Sequence, residues 1–281
     1  MVDLDTYREK SLTGWDRMAS GWEDRRAWVL RMTRVVNDWI HAHVDPQPGQ
    51  TFLDIAAGPG DLGLEIAERL GDEGRVILSD FSSEMLEVAR RNGEARGTTN
   101  VDYKVLDAER MDLADDSVDG AVCRFGYMLM ADPGQALKET RRVLRDGGPL
   151  AFAIWLAPDR NPWASLAAMT LVQREVIPKP EPGVPGMFAL NESDEIRRVV
   201  SAAGFAEPQL EEITFDFHYE DDDDYWGSIV QLAGPLAQAI EAQPVEEQQA
   251  SRAAILESVA QFKAGDGSYT MPAAAWGVTA G

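Results

Sequence analysis

The chain has 281 residues, of which 44% are hydrophobic and 26% charged, and it carries a formal net charge of -22. That length can bury a full core, and no run of about 18 apolar residues is present, which argues against a membrane span. So acidic a surface repels phosphate backbones and anionic lipid, so neither nucleic acid nor membrane is an expected partner.

The single cysteine, Cys123, excludes an internal disulfide and a cysteine-built metal site, and within its apolar run it reads as a small buried hydrophobe. The opening MVDLDTYREK lacks the basic-then-apolar pattern of a secretory leader, so a cytoplasmic address is expected.

In chain order, Tyr7 to Trp22 reads as a short helix or flap with Trp15 and Trp22 in a polar context. From Arg25 to His43, Trp28, Met32, Val35, Val36, Trp39 and Ile40 recur at helical spacing and predict one amphipathic helix. Asp45-Pro-Gln-Pro-Gly49 breaks it. A strand–helix alternation follows: strand Thr51–Ala57, helix Asp61–Leu70, strand Arg75–Asp80, helix Glu84–Arg96 capped by Ser82 or Ser83, then strands Val101–Leu106 and Ser117–Phe125. Asp132 caps a helix reaching Leu144, and LAFAIWL from Leu150 to Leu156 is a strand apolar on both faces.

Repeated β–α units with short turns predict an α/β fold, a Rossmann-like, doubly wound, mostly parallel seven-stranded sheet with helices on both faces and helical lid insertions. Pro158 to Gly186, rich in Pro, Trp and Met, suits an irregular, partly helical insertion. Asn191 or Ser193 starts a helix that stops at Gly204, and Gln209 to Phe217 is a strand. Helical segments Tyr225–Ala242 and Val245–Ala264 precede a last strand, Tyr269–Val278. The expected organisation is a helical lid over residues 1–50, a core over 51–156, a covering insertion over 157–190, and the rest of the core over 191–281, with a helical insertion at about 220–266.

The sharpest local feature is LDIAAGPGDLG, from Leu53 to Gly63. Gly58, Gly60 and Gly63 satisfy G-x-G-x-x-G, and Asp80 lies at the distance of a ribose contact. By itself this fits a dinucleotide as well as another nucleoside ligand. Asp54 before the loop and Asp61 after it would oppose a pyrophosphate and favour a cationic ligand.

Three blocks in order, LDIAAGPGDLG, LSDFSSEMLEVARRN and LDAERMDLADDSVDGAVCRFGYMLMADPGQALKETRRVLRDGGPLAFAIW, resemble class I S-adenosylmethionine (SAM) dependent methyltransferases, nearest to the ubiquinone/menaquinone-biosynthesis (UbiE-like) type. The resemblance spans about Thr51 to Trp155. The loop departs from the family pattern at Ala57 and Pro59, and beyond Trp155 the likeness ends. It implies that Asp54, Ala56, Gly58 and Gly60 hold the methionine part of SAM and Asp80 the ribose. Phe81 and Met85 would lie against the adenine, Asp107 and Ala108 at its edge, and Arg124 near the methionine end.

Ligands in open α/β sheets sit outside the carboxyl ends of the strands, so a small-molecule methyl acceptor is expected there, apolar or aromatic and methylated on O, C or N. Phe125 and Tyr127 after the fourth strand, Trp15 and Trp22 from the first segment, and Trp155, Met187 and Phe188 from the far side are its expected contacts, with Trp163 nearby. The alternatives are a nicotinamide-dependent oxidoreductase and a catalytically silent SAM-binding module. No metal is expected: Asp221 to Asp224 reads as a solvated helix start. His41 and His43 read as residues favoured by a helix C-terminus.

Overall fold

The computed structural model describes residues 4–180 and 183–281, so Glu181 and Pro182 of the expected insertion and the first three residues of the expected lid lie outside the described residues. Helix α1 (Leu4–Asp24) is far longer than a flap. It is followed by α2 (Arg26–Met32) and α3 (Arg34–Val44), which form two helices where the spacing predicted one. The break is Thr33, at φ -100°, ψ 12°, and its Oγ1 bonds back to Val29 O at 2.8 Å. A threonine that satisfies its hydroxyl on the preceding turn competes with the helix at that point. The break also shifts the buried face: Val36 and Ile40 are buried, while Val35 is 41% exposed. Asp45, in the left-handed region, closes α3.

The alternating core then runs β1 (Thr51–Ile55), α4 (Asp61–Leu70), β2 (Arg75–Asp80), α5 (Ser83–Arg96), β3 (Val101–Val105), β4 (Gly120–Arg124), α6 (Pro133–Val143) and β5 (Leu150–Trp155). Ser82 caps α5 by accepting from Met85 N, and Asp132 caps α6 by accepting from Gln135 N, as local capping chemistry requires. The covering region holds α7 (Pro162–Gln173), and α8 (Ser193–Ala202) leads to β6 (Gln209–Tyr219). Helices α9 (Asp222–Leu232), α10 (Gly234–Glu241) and α11 (Val245–Ser258) precede β7 (Tyr269–Ala280).

The seven strands are ordered β3-β2-β1-β4-β5-β7-β6. The β1, β2, β3, β4 and β5 pairings are parallel, and β7 runs antiparallel to both β5 and β6. Alternation sorts the strands onto two cores. Leu53, Ile55, Ala121, Cys123, Phe152 and Ile154 face the side of α6 and α8, whereas Phe52, Val122, Ala151 and Ala153 face α3 and α4. Asp54, between Leu53 and Ile55, therefore points to the α4 side.

Candidate active site

The carboxyl edge of the sheet is built around the turn after β1. Ala56, Gly58 and Gly60 have φ of 53°, 54° and 83°, so the chain winds left-handed before α4 begins at Asp61. At Gly60 a β-carbon would stand 2.9 Å from the Ala89 Cβ, and at Gly63 one would stand 2.8 Å from Asp54 Oδ2. Glycine is required at both places because the turn packs against α5 at Gly60 and α4 packs onto β1 and β2 at Gly63.

Asp54 is buried, and its Oδ2 accepts from Gly63 N at 2.9 Å. Asp80, at the end of the neighbouring strand, spends one oxygen on each of two loops. Its Oδ2 accepts from Gly58 N and its Oδ1 from Ser82 N, both at 2.9 Å. Burial pushes the Asp54 carboxyl up to about 7 against the opposing charge of Arg124, and pushes Asp80 up to about 6 against the Ser82 and Gly58 amides. Buried acids pushed up in this way, side by side on paired strands, are an arrangement often found at functional sites.

The third acid behaves differently. Asp61 was expected to face the ligand as a free charge. Instead it accepts from Arg26 Nε at 2.9 Å, Arg26 Nη2 at 2.6 Å and Arg96 Nη2 at 2.8 Å. It is 3% exposed, and a buried carboxylate is retained only when paired. Asp61 therefore presents no uncompensated charge to the cleft. Both arginines lie 35 residues away in sequence, beyond any motif spacing.

Around the loop, Phe81 and Ala108 are half-buried, and exposed Asp107 accepts from Glu109 N through Oδ1 at 2.9 Å. Met85 is buried with Val88 beneath Trp15 and Trp22, whose rings lie 5.9 Å apart. Trp15 and Trp22 thus sit over the start of α5, and the structure does not bring them together with Trp155. Helix α1 crosses the ends of three strands in turn. Ser82 Oγ donates to Asp16 Oδ1 at 2.6 Å, Arg8 Nε to buried Glu109 at 3.1 Å, and Tyr7 OH to Leu129 O at 2.8 Å. Sequence reasoning missed Asp16, Arg8 and Glu109, whose partners are set by helix docking alone.

On the other side of the cleft, Phe125 holds φ 61°, a strained value for a bulky residue, and its ring stacks on Trp155 at 3.9 Å and 2°. Trp155 meets Trp163 edge-on at 5.1 Å, and Trp163 stacks on Phe217 at 4.2 Å. Trp28 of α2 closes the set against Phe217 and Tyr219, at 5.4 and 5.2 Å. Beyond this wall is a cavity of about 60 Å³ lined by Trp28, Trp163, Ala167, Ser228, Ile229 and Leu236. Met187 and Phe188 pack, half-buried, against the same core, and Gly186 N bonds Met128 O at 3.1 Å. Phe215 and Phe217 lie in the strand expected from Gln209 to Phe217, which the structure extends to Tyr219, but nothing local directed these rings to this site.

Tyr127 does not reach it. Its side chain is fully buried, its hydroxyl lies 2.7 Å from Thr140 Oγ1, and its ring meets Phe152 edge-on, so the expected substrate contact is corrected to a core residue beneath α6. His41 lies in the last turn of α3, as expected, and has a further contact. It is buried, with Nε2 2.9 Å from Glu65 Oε2, in a polar cluster between α3 and α4, because its turn faces α4 instead of solvent. Exposed His43 stays at the helix end, bonded to Trp39 O. Asp222, Asp223 and Asp224 pair with Lys263, Arg252 and Arg25, and among the described residues no group of acids or histidines is placed to hold a metal.

Comparison with known proteins adds to this geometry. The chain is 36% identical over 119 residues to the ubiquinone/menaquinone biosynthesis C-methyltransferase UbiE of Haemophilus ducreyi, covering 42% of this chain and 46% of that protein. It therefore matches under half the length of that curated relative. Its fold is shared with YcgJ of Bacillus subtilis (TM-score 0.59, 19% identity, 87% of this chain and 96% of that one). It is shared as well with the 4+2 cyclase SpnF (TM-score 0.52, 19% identity, 87% and 79%), so the architecture hosts more than one chemistry. The ubiE/COQ5 methyltransferase family is matched over residues 26–178, more than half of the chain, and the chain belongs to that family.

Proposed function

We propose that the chain is a SAM-dependent methyltransferase acting on a small apolar or aromatic acceptor, with an O-, C- or N-methyl product. The observation that carries this reading is the Asp80 carboxylate spanning Gly58 N and Ser82 N, next to buried Asp54 at the carboxyl edge of the sheet. The residues present fit the donor. Asp80 would hold the ribose hydroxyls, Phe81, Ala108 and Asp107 the adenine, and Asp54, Ala56, Gly58 and Gly60 the methionine end. When bound, SAM supplies a methyl group activated by a sulfonium.

Ionised Asp54 and Asp80 favour a cation at this edge, and the positive end of the α4 dipole favours a carboxylate, although Gly63 N of its first turn is already held by Asp54. The Phe125–Trp155–Trp163 wall offers flat apolar surface to an acceptor and keeps water from it, which fixes the acceptor's orientation and strengthens the remaining electrostatics. Methyl transfer neutralises the sulfonium and passes its positive charge to the acceptor, so a base is required only where that acceptor must lose a proton.

The nicotinamide alternative rests on the glycine spacing and Asp80. Against it stands the antiparallel β7 between β5 and β6, which departs from the 3-2-1-4-5-6 order of dinucleotide sheets. Calorimetry with SAM, S-adenosylhomocysteine and NAD tests both readings: heat from the first two and none from NAD is expected. Binding of NAD with no binding of SAM overturns the proposal. Labelled-methyl transfer across phenols, quinones, amines and terpenoids then identifies the acceptor.

A further inference from the structure

Arg124 ends β4 immediately before Phe125, and its Nη1 donates to two neutral oxygens, Thr33 Oγ1 at 2.8 Å and Asn37 Oδ1 at 2.9 Å. Both acceptors are buried. Thr33 is the joint between α2 and α3, closing one helix and opening the next. Behind the joint, Asn37 Nδ2 and His41 Nε2 both reach Glu65 Oε2 of α4, at 3.2 and 2.9 Å. At the opposite end of α2, Arg26 is held by Asp61, the first residue of α4. Helix α2 is therefore tied at its start to the first residue of α4 and at its end to β4, and between those ends it carries Trp28 into the wall of the apolar cavity.

Arg124 also has a competing attraction. Asp54 lies on the adjacent strand with its Cα paired to that of Val122, and Arg124, two residues on, turns its side chain to the same face of the sheet, so the two opposite charges are neighbours without being bonded. A cation arriving at Asp54 competes for that carboxylate and repels the guanidinium. The guanidinium is then left to Thr33 and Asn37.

We propose that Arg124 is a positioning residue that couples the donor loop to α2: its guanidinium already rests on Thr33 and Asn37, and a cation seated at Asp54 removes the competing pull of that carboxylate and tightens this hold, which steadies α2 and the Trp28 end of the aromatic wall. The inference rests on the SAM reading above, and it sets an order of assembly in which the donor prepares the acceptor side. Coupling of this kind is reciprocal, so whatever SAM does for α2, α2 does for SAM.

Hydrogen exchange over residues 26–33, with and without saturating SAM, reads the coupling directly. In the wild-type chain SAM is expected to slow exchange there by roughly 5- to 10-fold, the lower range of typical site-to-site coupling, and S-adenosylhomocysteine, which lacks the sulfonium charge, by less. Thr33→Val, nearly isosteric but without the hydroxyl acceptor, should lose most of the SAM-dependent slowing yet still bind SAM, weaker by no more than that same factor. Arg124→Met is an independent route to the same loss, and Arg124→Lys should restore part of it. Equal slowing in the wild type and Thr33→Val overturns the coupling. So does faster exchange in the variant at an unchanged slowing factor, which is the mark of a merely structural contact. If calorimetry finds no SAM binding to the wild-type chain, the donor reading fails and the coupling fails with it.

Discussion

Replacing Asp80 with asparagine tests the central claim about the donor edge most directly. The carboxylate satisfies two backbone donors with two different oxygens, Gly58 N and Ser82 N, each at 2.9 Å, and the residue is 7% exposed. An asparagine offers one oxygen and one NH2 group, so in either orientation one of these amides faces another donor. A buried donor left unsatisfied costs about 1–3 kcal/mol. Removing a buried charge offsets part of that, because burial already disfavours the ionised form.

A net loss of about 1–2 kcal/mol corresponds to a fall in melting midpoint of roughly 2–8 °C for a chain of this general size. Donor binding should suffer separately. Loss of a charged acceptor for hydroxyl groups is worth about 1.5–3 kcal/mol, a weakening of roughly 10- to 150-fold. Circular dichroism melting gives the first quantity and calorimetry with S-adenosylhomocysteine the second. A lowered midpoint with unchanged affinity refutes the ribose placement, and an unchanged midpoint refutes the loop-clamp argument itself.

Three further outcomes follow from the same geometry. Asp54 at about 7 and Asp80 at about 6 both lie above the ordinary 3.8, so their contribution to stability is fully present below that value and is lost as pH rises through 6 and 7. A cationic donor selects the ionised forms, so SAM should bind more tightly from about pH 5 to about pH 8 with release of protons, detectable by calorimetry in buffers of different ionisation enthalpy; affinity that falls over this range contradicts the assignment. Arg26→Met leaves Asp61 with Arg96 alone and should destabilise by about 1–2 kcal/mol, less than full loss of a buried pair, in urea denaturation; an unshifted midpoint would show that Arg96 suffices. Tyr127→Phe removes one hydroxyl contact to Thr140, whose own donor is satisfied at Ala136 O, and should cost about 0.5–1.5 kcal/mol without altering SAM affinity or acceptor KM; a changed KM would return Tyr127 to the acceptor site.

The sequence by itself determined the parts of this protein whose physics is local. Helix Asp61–Leu70 and strand Arg75–Asp80 were legible to the residue, because glycines, caps and apolar runs act over a few positions. The glycine turn and the acid at the end of each flanking strand were readable for the same reason. The single helix predicted from Arg25 to His43 failed, since periodicity does not register a threonine turning its hydroxyl on its own helix and lending it to an arginine 91 residues away.

Tertiary structure alone decided how the charges and rings are used. Asp54, Asp61 and Asp80 look alike in the sequence, yet one lies against Gly63 N, one is neutralised by two arginines and one bridges two loop amides. Phe125 and Tyr127, two residues apart, end in an aromatic wall and in the core. The reason is that burial and pairing depend on which distant elements arrive at a position. The docking of α1, α2 and α6 across the sheet is set by side-chain complementarity that no spacing along the chain encodes.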